Sequence, residues 1–176
     1  MADSIPSCDF AVSSDKGHPT DVHPKEKAPI GERLARLALN QTYGMSHVAQ
    51  HGPTPAIAFS FREKTVIEFS NATELKTSDG KALRSMEIAD SIGSFTPVDF
   101  EKQAKIEGNR IIIDGTAHRI RYGWKPFTDA NLVNEAGLPA STFELKIETD
   151  LWKLGRKRPR PGSHADNAPS ATKTRQ

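Results

Sequence analysis

The hydrophobic period changes at residue 56, and that change constrains the fold more than any other feature. From Ala56 to about Ile147, apolar residues recur at alternate positions in short runs. Such alternation turns one face of a strand to a core and the other to water. Ala56-Ile57-Ala58-Phe59-Ser60-Phe61 and Thr65-Val66-Ile67-Glu68-Phe69 are predicted strands, tightly connected through Arg62-Glu63-Lys64. Leu75 opens another strand that turns at Ser78-Asp79-Gly80, a hairpin-type signal. Ala82 to Ala89 alternates with Met86 and Ile88 on one face, and Ser94 to Phe100 with Val98 and Phe100 on one face. Arg110-Ile111-Ile112-Ile113-Asp114 is the strongest strand, between turns at Glu107-Gly108-Asn109 and Asp114-Gly115. Ala117 to Trp124 follows as a strand, Lys125 to Ser141 reads as loop, and Phe143 to Ile147 as a final edge strand. Strands about every 8–12 residues with polar turns predict a mainly antiparallel β-sandwich or jelly roll.

The first part of the chain has a different period. Ile30, Leu34, Leu37 and Ala38 predict one apolar stripe on a helix from Ala28 to Tyr43. Pro29 suits the first turn, Glu32 complements the positive end of the helix dipole, and Gly44 is a C-terminal stop. Phe10-Ala11-Val12, with Ile5 nearby, reads as a short buried strand, the last of a parallel α/β sheet. Ser13 to Lys27 is the polar loop between strand and helix. The three make a βα unit with its ligand site at the carboxyl end of the strand. The connector Gly44 to Pro55 has two prolines, two glycines and no periodicity. The expected organisation is a βα unit over 1–45, a linker over 46–55, the β-sandwich over 56–150 and a disordered basic tail over 151–176.

Charge and composition exclude several classes. The net charge of +2 hides an asymmetry: residues 151–176 carry seven Lys/Arg and one acid, Asp166, and the remainder is net negative. The high pI belongs to the tail, which argues against a nucleic-acid-binding globule. No apolar run approaches the ~20 residues of a membrane span, and the N-terminus has neither a basic n-region nor an apolar h-region. The lone Cys8 rules out an internal disulfide, argues against a thiolate zinc site and reads as a small residue beside a buried strand.

Two motifs carry a family resemblance. Asp21-Val22-His23-Pro24-Lys25-Glu26-Lys27, Pro29-Ile30-Gly31-Glu32-Arg33-Leu34-Ala35-Arg36 and Thr42-Tyr43-Gly44 resemble the end of the catalytic domain of the sialate O-acetylesterase family, among the SGNH-type carbohydrate esterases. Arg121-Tyr122-Gly123-Trp124, Asn131-Leu132, Asn134 and Gly137-Leu138-Pro139-Ala140-Ser141 resemble its C-terminal signature. Met86-Glu87-Ile88-Ala89 and Lys105-Ile106-Glu107-Gly108-Asn109 are similar as well. The resemblance runs from about Ile5 to Phe143 and implies the C-terminal portion of a longer hydrolase: the terminal βα unit of an SGNH-type α/β domain, then the β-sandwich. It implies hydrolysis of O-acetyl esters on sialic acid or related sugars, with no cofactor. The expected partners are an acetylated sugar and the upstream hydrolase portion, with no membrane and no nucleic acid.

By the same resemblance, His23 is the catalytic histidine. A serine esterase needs a base to accept the serine proton and an acid to orient the imidazole. Asp21 is the candidate acid, although many SGNH hydrolases place theirs three residues before the histidine, where this chain has Thr20. Asp21 either orients His23 or caps a turn as an Asx residue, and Asp15 is its rival. No Gly-flanked serine after a buried strand precedes His23, so the nucleophile and oxyanion donors are expected upstream and the chain alone is expected to be inactive.

Other constellations have plainer readings. His47 and His51 have i, i+4 spacing but no third ligand nearby, which reads as linker histidines. Tyr122, Trp124, Asn131 and Asn134 either contact a sugar or pack internally. Tyr122 and Trp124 fall on one strand face, as core residues do. Gly155-Arg156-Lys157-Arg158-Pro159-Arg160-Pro161 resembles a minor-groove or nuclear-localisation patch, and a solvated extension is its ordinary reading. The rival to the esterase reading is a non-catalytic sandwich module that binds carbohydrate or a protein and exposes aromatic residues on one face.

Overall fold

The computed structural model of the chain describes residues 8–149, with Pro24 and Ile92 excepted. The readings of Ile5 and of the tail lie outside the described residues. Helix α1 (Ala28–Gln41) comes first, followed by strands β1 (Thr54–Phe61), β2 (Lys64–Ser70), β3 (Leu75–Thr77), β4 (Met86–Ala89) and β5 (Phe95–Pro97). Helix α2 (Phe100–Gln103) precedes β6 (Ala104–Glu107), β7 (Arg110–Asp114), β8 (Arg119–Tyr122), β9 (Leu132–Asn134) and β10 (Phe143–Lys146). One sheet has the order β1-β2-β7-β6, a second β10-β8-β4-β5, and β3 pairs with β9. All these strand pairings are antiparallel.

Alternation along the strands builds the core. Register places Ile67 and Ile106 on either side of Ile111, and Met86 and Phe143 on either side of Tyr122. The two sheets meet where the Phe69 ring packs edge-on against Phe143, 5.9 Å between centroids, while Tyr122 stacks on Phe143 at 5.5 Å. Ile67, Ile111, Ile113 and Ile120 are completely buried, each contributing roughly 1.5–3 kcal/mol through the area it removes from water. The β1–β2 turn uses Arg62 and Glu63, both in the left-handed region at φ 47° and 59°, as the twist of a two-residue hairpin requires. This β-rich architecture fits the predicted β-sandwich.

The mixed α/β expectation, a terminal βα unit of an SGNH-type hydrolase followed by a separate domain, is overturned. Phe10, Ala11 and Val12 join no sheet, and Phe10 is 54% exposed. No parallel sheet receives them; the Val12 carbonyl instead accepts a hydrogen bond from Arg33 Nη1 at 2.6 Å. Cys8 is exposed, without the buried strand expected beside it. The two described α-helices span 14 and 4 residues, a three-residue 3-10 turn at Ser14–Lys16 precedes them, and all the described strands pair antiparallel.

Helix α1 ends close to expectation, with Gly44 at φ 69° just beyond it. Its buried face differs: Arg33 and Leu37 are buried while Leu34 points to solvent, because the Arg33 guanidinium has a carboxylate partner inward. The predicted strand from Ser94 to Phe100 is cut short because Asp99 caps α2, accepting the Glu101 N–H at 3.2 Å. The turn at Ser78-Asp79-Gly80 closes no hairpin, since β3 pairs with distant β9.

The connector before β1 is clasped to the sandwich. The His51 carbonyl accepts Asn134 Nδ2 at 3.0 Å, and a Cβ added at Gly52 would lie 2.0 Å from the Pro139 carbonyl oxygen. Only glycine fits this backbone-to-backbone approach. Gly52→Ala is expected to cost at least about 1–3 kcal/mol by forced displacement, seen as a lower urea midpoint. A midpoint equal to the wild type would show that the approach is not required.

Candidate functional site

The site is built around two buried amides in and beside β9. Asn131 Nδ2 donates to Asp79 Oδ1 (2.9 Å) and to the Ala82 carbonyl (3.1 Å), while its Oδ1 accepts the Arg84 main-chain N–H (3.0 Å). Asn134 Nδ2 donates to the carbonyls of His51 (3.0 Å) and Asn71 (2.9 Å), and its Oδ1 accepts the N–H groups of Ala136 (3.1 Å) and Leu138 (3.0 Å). These bonds bring three distant loops together at one end of the sandwich. Arg84 completes the brace, donating to Asp79 (2.8 Å) and to the Asp129 carbonyl (3.2 Å). The hydrogen bond from Asn131, then that from Arg84, holds the Asp79 carboxyl well below the usual carboxylate range. Asp129 is lowered too, chiefly by the Ser85 hydroxyl, which donates to it at 2.6 Å.

Helix α1 forms the opposite wall. Arg33 makes a bidentate pair with Asp15, both bonds at 2.7 Å, the planar fork geometry that suits arginine to a carboxylate. Arg36 donates to the Ala49 carbonyl at 3.4 Å, and Asn40 to that of Val48 at 2.8 Å. Asp9 accepts from Gln41 and lies 3.2 Å from His51 Nε2. Between α1 and the loops that flank β9 lies a cleft of about 530 Å³, lined by Glu32, Arg36, Arg84, Phe127, Asp129 and Asn131 among others. Its volume is within the usual range for a ligand pocket.

The predicted residues are dispersed relative to this cleft. His23 is exposed in the loop before α1 and does not line the cleft. The Asp21 carboxylate accepts the His23 main-chain N–H at 2.9 Å, which is the Asx-turn geometry. The rival acid Asp15 is engaged by Arg33. His51 is engaged by Asp9, and among the described residues no group of three His, Cys, Asp or Glu side chains is placed to hold a metal. Tyr122 is buried, whereas Trp124 is 50% exposed: Gly123, at φ 63°, ends the strand between them and breaks the alternation. The Arg33–Asp15 pair and Phe127 were not anticipated. A charged residue inside a helix face that is otherwise apolar, Ile30-Arg33-Leu37, was the available signal for the first.

The fold and the braced end define a class: an antiparallel β-sandwich with an appended helix. Among solved structures, the chain is similar to a carbohydrate acetylesterase from Xanthomonas citri, with 33% sequence identity and a TM-score of 0.67 over 75% of this chain. The chain spans 31% of that protein's length. No protein-family model and no curated protein matches the sequence. The esterase relationship drawn from the sequence motifs thus stands at the level of carbohydrate esterases.

Tyr122 supplies a test of how this end is held. Its phenolic oxygen accepts the Leu132 N–H at 2.7 Å, and burial pushes its pKa up. A folded-state pKa above the unfolded value of about 10 means that the folded chain keeps a proton the unfolded chain loses. The associated stability is complete below pH ~10 and falls as pH rises from there towards the folded pKa. Tyr122→Phe leaves the Leu132 N–H without a partner and is expected to cost about 1–3 kcal/mol at pH 7. That deficit should narrow above pH ~10 in urea titrations. A deficit that stays constant through pH 11 would contradict this account.

Proposed function

We propose that the chain is part of a carbohydrate O-acetylesterase that hydrolyses O-acetyl esters on sialic acid or related sugars. The observation that carries this reading is the 33% identity with a carbohydrate acetylesterase along 75% of the chain. His23 is the general base and Asp21 its positioning residue, holding the histidine main chain through the 2.9 Å bond. A serine from the hydrolase portion beyond this chain attacks the acetyl carbonyl and gives its proton to the imidazole. The tetrahedral intermediate expels the sugar oxygen, which takes that proton from the imidazolium. Water, deprotonated in turn by His23, releases acetate from the acyl-serine.

The surface of the N-terminal part supports a partner for this chemistry. Among the described residues, six of the nine exposed large hydrophobic residues fall between Phe10 and Met45, with Tyr43 at 73% and Leu34 at 52% exposure. Exposed apolar residues of this kind suit a contact surface, here for the hydrolase portion. Leu37 and Arg33, on the same helix, are buried, and Arg33 is held by Val12 and Asp15.

The test is hydrolysis of 4-nitrophenyl acetate and of O-acetylated sialic acid. The chain alone is expected to show no turnover above its His23→Ala variant. Added to the part of the Xanthomonas esterase outside the matched region, it should restore turnover, and His23→Ala should lower that rate roughly 10²–10⁴-fold. Turnover by the chain alone, or equal restoration by His23→Ala, would refute the assignment.

A further inference from the structure

We propose that the loop from Gly123 to Asn131 and the adjoining cleft form a binding platform for the neutral sugar rings of a glycan chain. Trp124 and Phe127 are 50% and 42% exposed, within four residues of each other on this loop. They are remote in sequence from the exposed apolar residues of the N-terminal part, and Phe127 lies beside Gly17 at the cleft. Phe127 lines the large cleft, and Trp124 lines a shallower depression with Gly123, Pro126 and Thr142.

The loop that carries them is braced at both ends. The Gly123 N–H donates to the Ser85 carbonyl at 2.8 Å, and the Lys125 N–H to the Gly123 carbonyl at 2.9 Å. Thr128 Oγ1 donates to Ser85 Oγ at 3.2 Å, and Ser85 Oγ donates to Asp129 at 2.6 Å. A Cβ at Gly123 would lie 3.1 Å from Thr142 Cγ2, so the first residue of the loop is packed as well as bonded. Rigid aromatic side chains on a preorganised loop lose little conformational entropy when a ligand covers them.

The chemistry of the surroundings selects the ligand. A pyranose ring has an apolar face of C–H groups, which an indole or phenyl ring covers, and a rim of hydroxyls that needs donors and acceptors. The cleft that Phe127 lines supplies both kinds: the Glu32 carboxylate accepts and the Arg36 guanidinium donates, while the Asp129 carboxylate already meets Ser85 and Arg84. Its other cations are already matched. Arg33 pairs with Asp15, Arg84 with Asp79 and Asp129, and Lys16 with Glu26. Arg36 donates to a main-chain carbonyl and shares its helix wall with Glu32. A ligand carboxylate or phosphate therefore meets balanced charge here, whereas a neutral polyol meets both a donor and an acceptor. The platform holds the glycan through its uncharged rings, whatever ester the chain carries.

The choice of a glycan as ligand class rests on the esterase reading, but the test uses sugars without an ester, so the two can fail separately. The full chain is titrated with cellohexaose, with xylohexaose and with N-acetylneuraminic acid, read by saturation-transfer NMR. At least one hexasaccharide is expected to bind. Trp124→Ala and Phe127→Ala should each weaken it about tenfold with Tm unchanged, since both side chains are exposed. Trp124→Gln replaces the alanine variant if that one lowers Tm. N-acetylneuraminic acid should show no saturation transfer that depends on either aromatic. The proposal is overturned if neither hexasaccharide binds, if binding survives both substitutions, or if N-acetylneuraminic acid alone uses the platform.

Discussion

The functional end of this protein depends on the hydrogen bonds of two buried amides. Asn131 and Asn134 are each only 2% exposed. The Asn134 side chain uses both donors and both lone pairs of its oxygen, and Asn131 both donors and one acceptor bond. A buried amide with missing partners costs about 1–3 kcal/mol for each unsatisfied group, whereas a satisfied one fixes its neighbours in place. Around these two residues gather the segment before β1, the β2–β3 turn, the loop from Asp79 to Arg84 and the turn from Glu135 to Pro139. None of them belongs to the two large sheets, and the last two line one wall of the cleft.

The other wall is attached differently. Helix α1 is held by the Arg33–Asp15 fork, by Asn40 and Arg36 on main-chain carbonyls, and by Asp9 at its end. Leu37 is its one buried apolar side chain. Directional bonds that bind one face leave the opposite face free to meet something else. Asp15, which docks the helix, lies in the same loop from Ser13 to Lys27 as His23. Removing one partner of a desolvated ion pair costs several kcal/mol, which makes Arg33 a structural residue whatever the reaction.

The sandwich was legible because its strands alternate and its turns are polar: β1, β2, β7 and β8 follow the period of the sequence. Strand β9 was not, since Leu132, Val133 and Asn134 are all buried and show no alternation. The misplaced strand at Phe10 to Val12 has a physical reason as well. Three apolar residues suit a buried strand only if neighbouring strands are there to pair with them, and here an extended segment lies along a helix instead. Asn131 and Asn134 stood out in the sequence as amides able to meet a sugar, but burial makes them braces. Trp124 read as core by alternation and is exposed because Gly123 turns the chain. The Asx turn at Asp21 was among the readings open for that residue, and the main-chain N–H of His23 occupies its carboxylate.

Hydrogen exchange tests most directly whether the amides hold this end together. In the wild type, the amides of Leu132, Leu138 and Ala140 should be as protected as those of Ile111 to Ile113. In Asn134→Ala, protection should fall together at His51 to Pro55, at Asn71 to Leu75 and at Ala136 to Ala140, while Ile111 to Ile113 remain protected. Loss confined to the turn beside residue 134, or none at all, would contradict the claim that one buried amide unites the three segments.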